Sequence, residues 1–242
     1  MLIIKLDAID STNDYLKALA NDKPLDNYTT VVAQKQTRGR GQMGAQWESE
    51  PDKNLTMSVL VKDVLNDKID IFNLNTAVAL TLIKVLENLN IPKLTVKWPN
   101  DIMADAKKVG GILIENSIKS DGTIRSIIGI GLNVNQTDFS NLPKATSIAL
   151  EIHEEINKDT LMIKILEQLK HSIGLLSDQS DQVWQSYHDY LFKKNIPMAF
   201  QDNSGNKFMG IIQSVSRDGM LQLLLEDDSI ASFGIKEITM LF

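Results

Sequence analysis

An α+β chain ending in a small all-β unit is what this sequence predicts, on three observations. Up to about residue 135, β-branched runs of strand length alternate with segments whose apolar residues recur at helical spacing. Between residues 158 and 191 the helical period stands alone. From about Asn195 it vanishes, and short apolar runs are cut by the polar turns Asn203-Ser204-Gly205, Arg217-Asp218-Gly219 and Glu226-Asp227-Asp228. The 242 residues therefore divide into a larger domain over 1–193 and a small β-barrel or meander over 194–242. The second is too short to hold much core of its own, so it is expected to dock on the first.

Leu2 to Leu6 reads as a strand, and Asp10-Ser11-Thr12 supplies capping side chains for a helix with Tyr15, Leu16 and Leu19 facing inward. Thr29 to Gln34 is a β-branched strand that feeds a polar, glycine-studded segment, Gln36 to Trp47. Leu55 to Lys62 is a strand with Leu55, Met57, Val59 and Val61 on one face. Leu74, Ala77, Val78, Leu82, Val85, Leu86 and Leu89 mark a helix that Pro92 closes. Strands follow at Leu94–Trp98, Val109–Ser117 and Arg125–Asn135, the last two joined by a turn at Ser120-Asp121-Gly122. Helices over Lys158–Leu176 and around Val183, Trp184, Tyr187 and Leu191 complete the larger domain.

Composition excludes several classes of function. A chain that is 43% hydrophobic and 23% charged is globular rather than disordered. With no cysteine it has no disulfide scaffold, thiolate zinc site or cysteine nucleophile, which fits a reducing compartment. The start is acidic where a signal peptide needs a basic one, and no apolar run approaches the roughly 18 residues of a membrane span. A net charge of −6 opposes general nucleic-acid affinity. The expectation is a cytoplasmic protein with neither DNA nor membrane as partner. The acids near Glu151, Glu154 and Glu155 read as a solvated face, and the histidines lack metal-ligand spacing.

Four segments carry candidate chemistry. Between Lys35 and Trp47 lie three basic residues and no acid, with Gly39, Gly41 and Gly44 allowing backbone amides to approach an anion. Arg38 and Arg40 add guanidinium groups suited to phosphate or carboxylate. Lys97-Trp98-Pro99-Asn100-Asp101 ends a strand in a turn that holds a carboxylate there. In Lys107-Lys108-Val109-Gly110-Gly111 a lysine enters a strand with bare backbone behind it. In Ile128–Asn135 the alternation puts Ile128, Ile130, Leu132 and Val134 on a core face, and Gly129, Gly131, Asn133 and Asn135 on the other. Glycine weakens a strand, so a face stripped of side chains reads as a pocket wall.

In this order, with Ser11-Thr12-Asn13 before them and Ala145-Thr146-Ser147 after, these segments resemble the signatures of the biotin protein ligases, the biotin–[acetyl-CoA-carboxylase] ligases. The resemblance covers essentially the whole chain. It implies a mixed-sheet, class II synthetase-like biotin–lipoate ligase fold with an SH3-like β-barrel at the end. Many bacterial members carry an N-terminal helix-turn-helix domain; the short, monofunctional class is the one expected here.

The resemblance further implies a two-step ligation. Biotin is activated with MgATP to biotinoyl-5′-AMP and pyrophosphate, then transferred to a lysine of a biotin carboxyl carrier protein. Lys108 and Arg40 are the implied catalytic pair. Ser11, Thr12, Asn13, Gln36, Gly39, Arg40, Gly41, Lys108, Gly111, Leu113 and Gly129 are implied on biotin. Arg38, Arg40, Trp47, Lys97, Asn100, Asp101, Lys108 and Asn133 are implied on ATP or the adenylate, with magnesium held mainly by the phosphates. A homodimer is compatible with the resemblance. Two positions depart from the pattern: Gln42 and Ala45 stand where relatives often have basic residues. A lipoate or octanoate ligase of the same fold is the first alternative, and a non-catalytic biotin-responsive regulator the second.

Overall fold

The structure, a computed structural model, describes residues 1–64, 71–118 and 123–242. The expected turn at Ser120–Gly122 lies outside the described residues. Strand β1 (Ile3–Ile9) leads through helix α1 (Thr12–Asp22) into β2 (Thr30–Gln36), and the two strands pair in parallel as that crossover requires. Ser11 caps α1, its hydroxyl accepting from the Asp14 amide. Next come β3 (Leu55–Lys62), helix α2 (Ile71–Glu87), and four short or medium strands: β4 (Leu94–Lys97), β5 (Asp101–Ala104), β6 (Lys107–Ile118) and β7 (Ile124–Leu132). Together they form one seven-stranded sheet ordered β1-β2-β3-β7-β6-β5-β4.

β5 is absent from the sequence reading. Ile102-Met103-Ala104 is too short to show a period, and pairing with β4 on one side and β6 on the other makes it a strand. Helix α3 (Ile148–Ile152), capped by Ser147, was also unread, being little more than one turn. Helices α4 (Lys158–Gly174) and α5 (Ser180–Asp189) follow the expected periods.

The sheet separates two cores. On one face α2, α4 and α5 bury Leu74, Leu82, Ile165, Leu169 and Tyr187 against Met57, Val59, Ile128 and Ile130. On the other, α1 covers only one end, packing Leu16 and Ala20 on Val31, Leu60 and Ile127. The rest of that face is left for the cleft described below.

Strands β8 (Pro197–Asp202), β9 (Lys207–Val215), β10 (Leu221–Leu225), β11 (Ile230–Phe233) and β12 (Ile238–Leu241) make an antiparallel sheet ordered β11-β10-β9-β8-β12. Its buried Phe200, Ile212, Leu223 and Ile238 are continuous with the larger core, as expected of a unit too small to stand alone. Docking uses specific contacts. Trp98 donates its indole N–H to the Gly219 carbonyl at 2.9 Å. Gly219 sits at φ +87°, and a Cβ there would lie 2.5 Å from Phe72, so only glycine serves at that contact. His188 lies with Nε2 2.9 Å from the Val215 carbonyl, and burial holds its pKa below the ordinary imidazole value.

Candidate active site

A cleft of about 610 Å³ opens on the face of the large sheet that α1 leaves bare, and the small sheet closes its far side. Its floor follows from register. Ser58 pairs with Gly129 and Gly129 with Leu113; one row along, Thr56 pairs with Gly131 and Gly131 with Gly111. Alternation sends all six of these positions to the same face, so two adjacent rows across three strands carry mostly small or polar groups. The next row, Leu60–Ile127–Glu115, already lies under α1 or at its edge.

Above this floor the start of α1 is held by a buried polar network. Gln36 Oε1 accepts from the Thr12 amide at 2.7 Å and lies 3.0 Å from Thr12 Oγ1. Ser58 Oγ is 2.6 Å from Asn13 Oδ1 and 2.8 Å from Thr12 Oγ1. Asn13 Oδ1 can only accept, so Ser58 gives its single proton to Asn13. Asn13 in turn donates through Nδ2 to Glu115 Oε2 at 2.9 Å. A Cβ on Gly129 would lie 2.5 Å from Asn13 Oδ1, which explains the glycine: it admits the amide against the strand.

Gly131 plays the same part for Trp47, whose ring would lie 2.6 Å from a Cβ there. The glycines of β7 thus seat two side chains on the sheet. Trp47 Nε1 is buried and has no hydrogen-bond partner among the described residues. Lys108 stands beside that ring, its ammonium 5.6 Å from the ring centre. Lys108 Nζ binds Asp101 Oδ1 at 2.6 Å, and Lys97 Nζ lies 3.7 Å from Asp101 Oδ2. One carboxylate therefore sits between two ammonium groups, leaving one net positive charge. The Lys108 backbone is fastened to residues 144–146 by Lys108 N to Lys144 O at 2.8 Å and Thr146 N to Lys108 O at 2.9 Å.

The glycine-rich loop is folded back on itself, with Gly41 N donating to Ala45 O at 2.7 Å and Trp47 N to Gly39 O at 2.9 Å. Arg40 binds Asp14, and its Nη2 lies 3.3 Å from Glu115 Oε1. Of the residues singled out from sequence, Ser11, Thr12, Asn13, Gln36, Arg40, Gly41, Trp47, Lys97, Asn100, Asp101, Lys108, Gly111, Leu113 and Gly129 all line the cleft. Arg38, Gly39 and Asn133 do not. Arg38 is 83% exposed and 3.9 Å from Asp10. Gly39 packs against the Trp47 carbonyl, and Asn133 is buried, donating to Thr146 O at 2.9 Å. Asn100 spends its amide on the Ile112 carbonyl at 2.6 Å, tying the β4–β5 hairpin to β6.

A model of the biotin/lipoate A/B protein ligase family matches residues 6–135, more than half of the chain and most of the cleft. The chain belongs to that family. Among its relatives, the bifunctional ligase/repressor BirA of Bacillus spizizenii is 37% identical over 169 residues, 68% of this chain and 51% of that protein. The biotin–[acetyl-CoA-carboxylase] ligase of Mycobacterium tuberculosis is 26% identical over 88% of this chain and 79% of its own. The chain thus spans about half the length of the Bacillus relative and most of the mycobacterial one. Biotin protein ligase from Aquifex aeolicus, solved with biotin and ATP, superposes with a TM-score of 0.79 at 25% identity, covering 99% of this chain and 98% of that one. The predicted mixed sheet with flanking helices and a β-rich end is the fold of these ligases.

Three residues at or behind the cleft escaped the sequence reading. Ser58 had a signal: it is a polar residue on the face of β3 opposite the core. Glu115 lies on the strand read at Val109–Ser117, but nothing local shows that it reaches both Asn13 and Arg40. Lys236, from the connection between β11 and β12, has no local signal at all, because docking of the second sheet brings it to the cleft.

Proposed function

We propose that this protein activates biotin with MgATP to biotinoyl-5′-AMP and transfers the biotinyl group to a lysine of a biotin carboxyl carrier protein. The observation that carries this reading is one cleft holding Lys108 and Arg40 beside the Ser11–Asn13 and Gln36 network. A biotin carboxylate oxygen attacks the α-phosphorus, the bond to the bridging oxygen breaks, and pyrophosphate leaves. Two anions must meet, and the cations supply the offsetting charge where it develops. On this reading Lys108 touches both carboxylate and α-phosphate, and Arg40 lies over the acyl-phosphate. In the second step a carrier lysine amine adds to the acyl carbon, AMP leaves, and the amine loses a proton.

On this reading the polar network takes the ureido ring, with Gly111, Leu113 and Gly129 along the ring and chain. Trp47 stands between that region and the nucleotide. Lys97, Asp101 and Asn100 form the nucleotide side, and Asn133 acts through the Lys108 backbone it adjoins. Gly39 acts by turning the loop; Arg38 contributes only charge at the loop's outer surface. Asp101 is the single carboxylate among the described residues lining the cleft, and both its oxygens face ammonium groups. That set suits magnesium arriving with the nucleotide phosphates rather than in a protein cage. A cytoplasmic setting, no role in DNA binding, and pairing of two copies through the β1 edge of the large sheet complete the proposal.

Incubation with biotin, MgATP and a carrier domain should add one biotinyl mass to the carrier. Pyrophosphate exchange run side by side with biotin, lipoate and octanoate decides the acid. Exchange with lipoate alone would reassign the cleft within the family, and none with any of them would end the ligase reading.

A further inference from the structure

Among the described residues four cations line the cleft: Arg40, Lys97, Lys108 and Lys236. The first three have carboxylate partners, Asp14 and Glu115 for Arg40, and Asp101 for the two lysines. Among the described residues Lys236 has none; its ammonium donates to the Met43 carbonyl, at the tip of the glycine-rich loop. The contact is built from both sides. Lys236 sits at φ +67° and Met43 at φ +52°, a region that non-glycine residues adopt uncommonly. The Lys236 turn is closed by Glu237, whose carboxylate accepts from the Gly234 amide at 2.7 Å. The part of the loop it reaches, Gln42-Met43-Gly44-Ala45-Gln46, carries no charged side chain.

We propose that Lys236 is a phosphate-binding residue for the terminal phosphates of the nucleotide, supplying from the second sheet a cation that the tip of the loop lacks. The inference rests on the ligase reading above. An ammonium on a neutral carbonyl has a weaker partner than a phosphate oxygen would be, so a polyphosphate entering beside the loop draws Lys236 off Met43. Lys108 on β6 and Arg40 in the loop are already committed to the carboxylate and α-phosphate. The leaving pyrophosphate is then the anion that Lys236 meets.

The test uses the full chain and Lys236→Met, with Lys236→Arg as the conservative variant. In Lys236→Met the KM for ATP should rise about 10- to 100-fold, the scale for one charge-assisted contact. Inhibition of adenylate formation by added inorganic pyrophosphate should weaken in parallel. Biotin affinity by calorimetry and the melting temperature should stay as in the parent, and Lys236→Arg should recover most of both phosphate effects. Unchanged KM and pyrophosphate inhibition would overturn the proposal. Equal losses for biotin and ATP would overturn it too, showing a strap on the loop rather than a phosphate ligand. Parent protein without biotin-dependent exchange would sink the ligase reading itself, whereas normal parent exchange with an unaffected Lys236→Met sinks the lysine assignment alone.

Discussion

Lys108 and Arg40 both reach the cleft with a carboxylate at hand, but the scaffolds behind them differ. Lys108 stands on β6, next to fully buried Val109, with its own amide and carbonyl bonded to residues 144 and 146. Its partner Asp101 is 20% exposed and heads a strand paired to β4 and β6. Arg40 stands in a loop whose backbone–backbone bonds from Gly39 to Trp47 are to the loop itself, and the side chains of its Asp14 pair are 45% and 49% exposed. Ion pairs that exposed contribute between about 0 and 1 kcal/mol. One cation is preset by the sheet; the other is held by contacts that an incoming anion can replace. Preorganised charge is what stabilises a transition state, so the sheet-mounted lysine should matter more to the chemistry than any group on the loop.

Lys108→Ala tests that ranking most severely. Adenylate formation should fall by about 10²–10³, with folding intact, while Lys107→Ala on the exposed neighbouring position stays close to the parent. Equal losses in the two variants, followed by pyrophosphate exchange, would remove the distinction between the walls.

Next in size is Gly131→Ala. The added methyl meets the Trp47 ring, and Trp47, partly exposed, yields before the sheet does. We expect biotin affinity to drop roughly 30-fold, since displacing a positioning group by about 1 Å has consequences on this scale. Tryptophan fluorescence should report the displaced ring. Unaltered fluorescence together with unaltered affinity would mean that Trp47 is not seated on the floor in solution.

Asp101→Asn keeps the shape and removes the charge between Lys97 and Lys108. With Lys108 less firmly placed, kcat for adenylation should fall about tenfold. The KM for ATP should hold or decrease, because the nucleotide side becomes more positive. A rise in KM with kcat untouched would move Asp101 from positioning Lys108 to binding substrate.

The smallest effect is expected on the loop. Gln42→Arg adds a cation to a segment that already adapts, so it should slow adenylate release by about 3- to 10-fold without changing its formation rate. Hydrogen exchange over residues 37–46 should be fast in the free protein and slowed by biotin plus MgATP. Slow exchange before ligand is added would show the loop to be as preset as β6, and the contrast between the walls would fail.

What the sequence determined by itself lies within single elements. The two-residue period assigned Ile128, Ile130, Leu132 and Val134 to a core and their glycine neighbours to a pocket face, and all four apolar residues are buried in that core. Capping chemistry at Ser11 placed the start of α1, and turn residues placed the breaks of the last sheet, because those choices depend on side chains a few positions apart. Motif order was enough to bring most of the cleft together on paper. What only the tertiary structure decided depends on groups far apart in the chain. Alternation says which way a strand's residues point but not which residue of another strand lies beside them, so the Thr56–Gly131–Gly111 row required the register. β5 exists because neighbours pair with it. The acids on Arg40 come from α1 and β6, and Lys236 arrives from a second sheet nearly 200 residues away from Met43 in sequence, by a docking geometry that no local preference encodes.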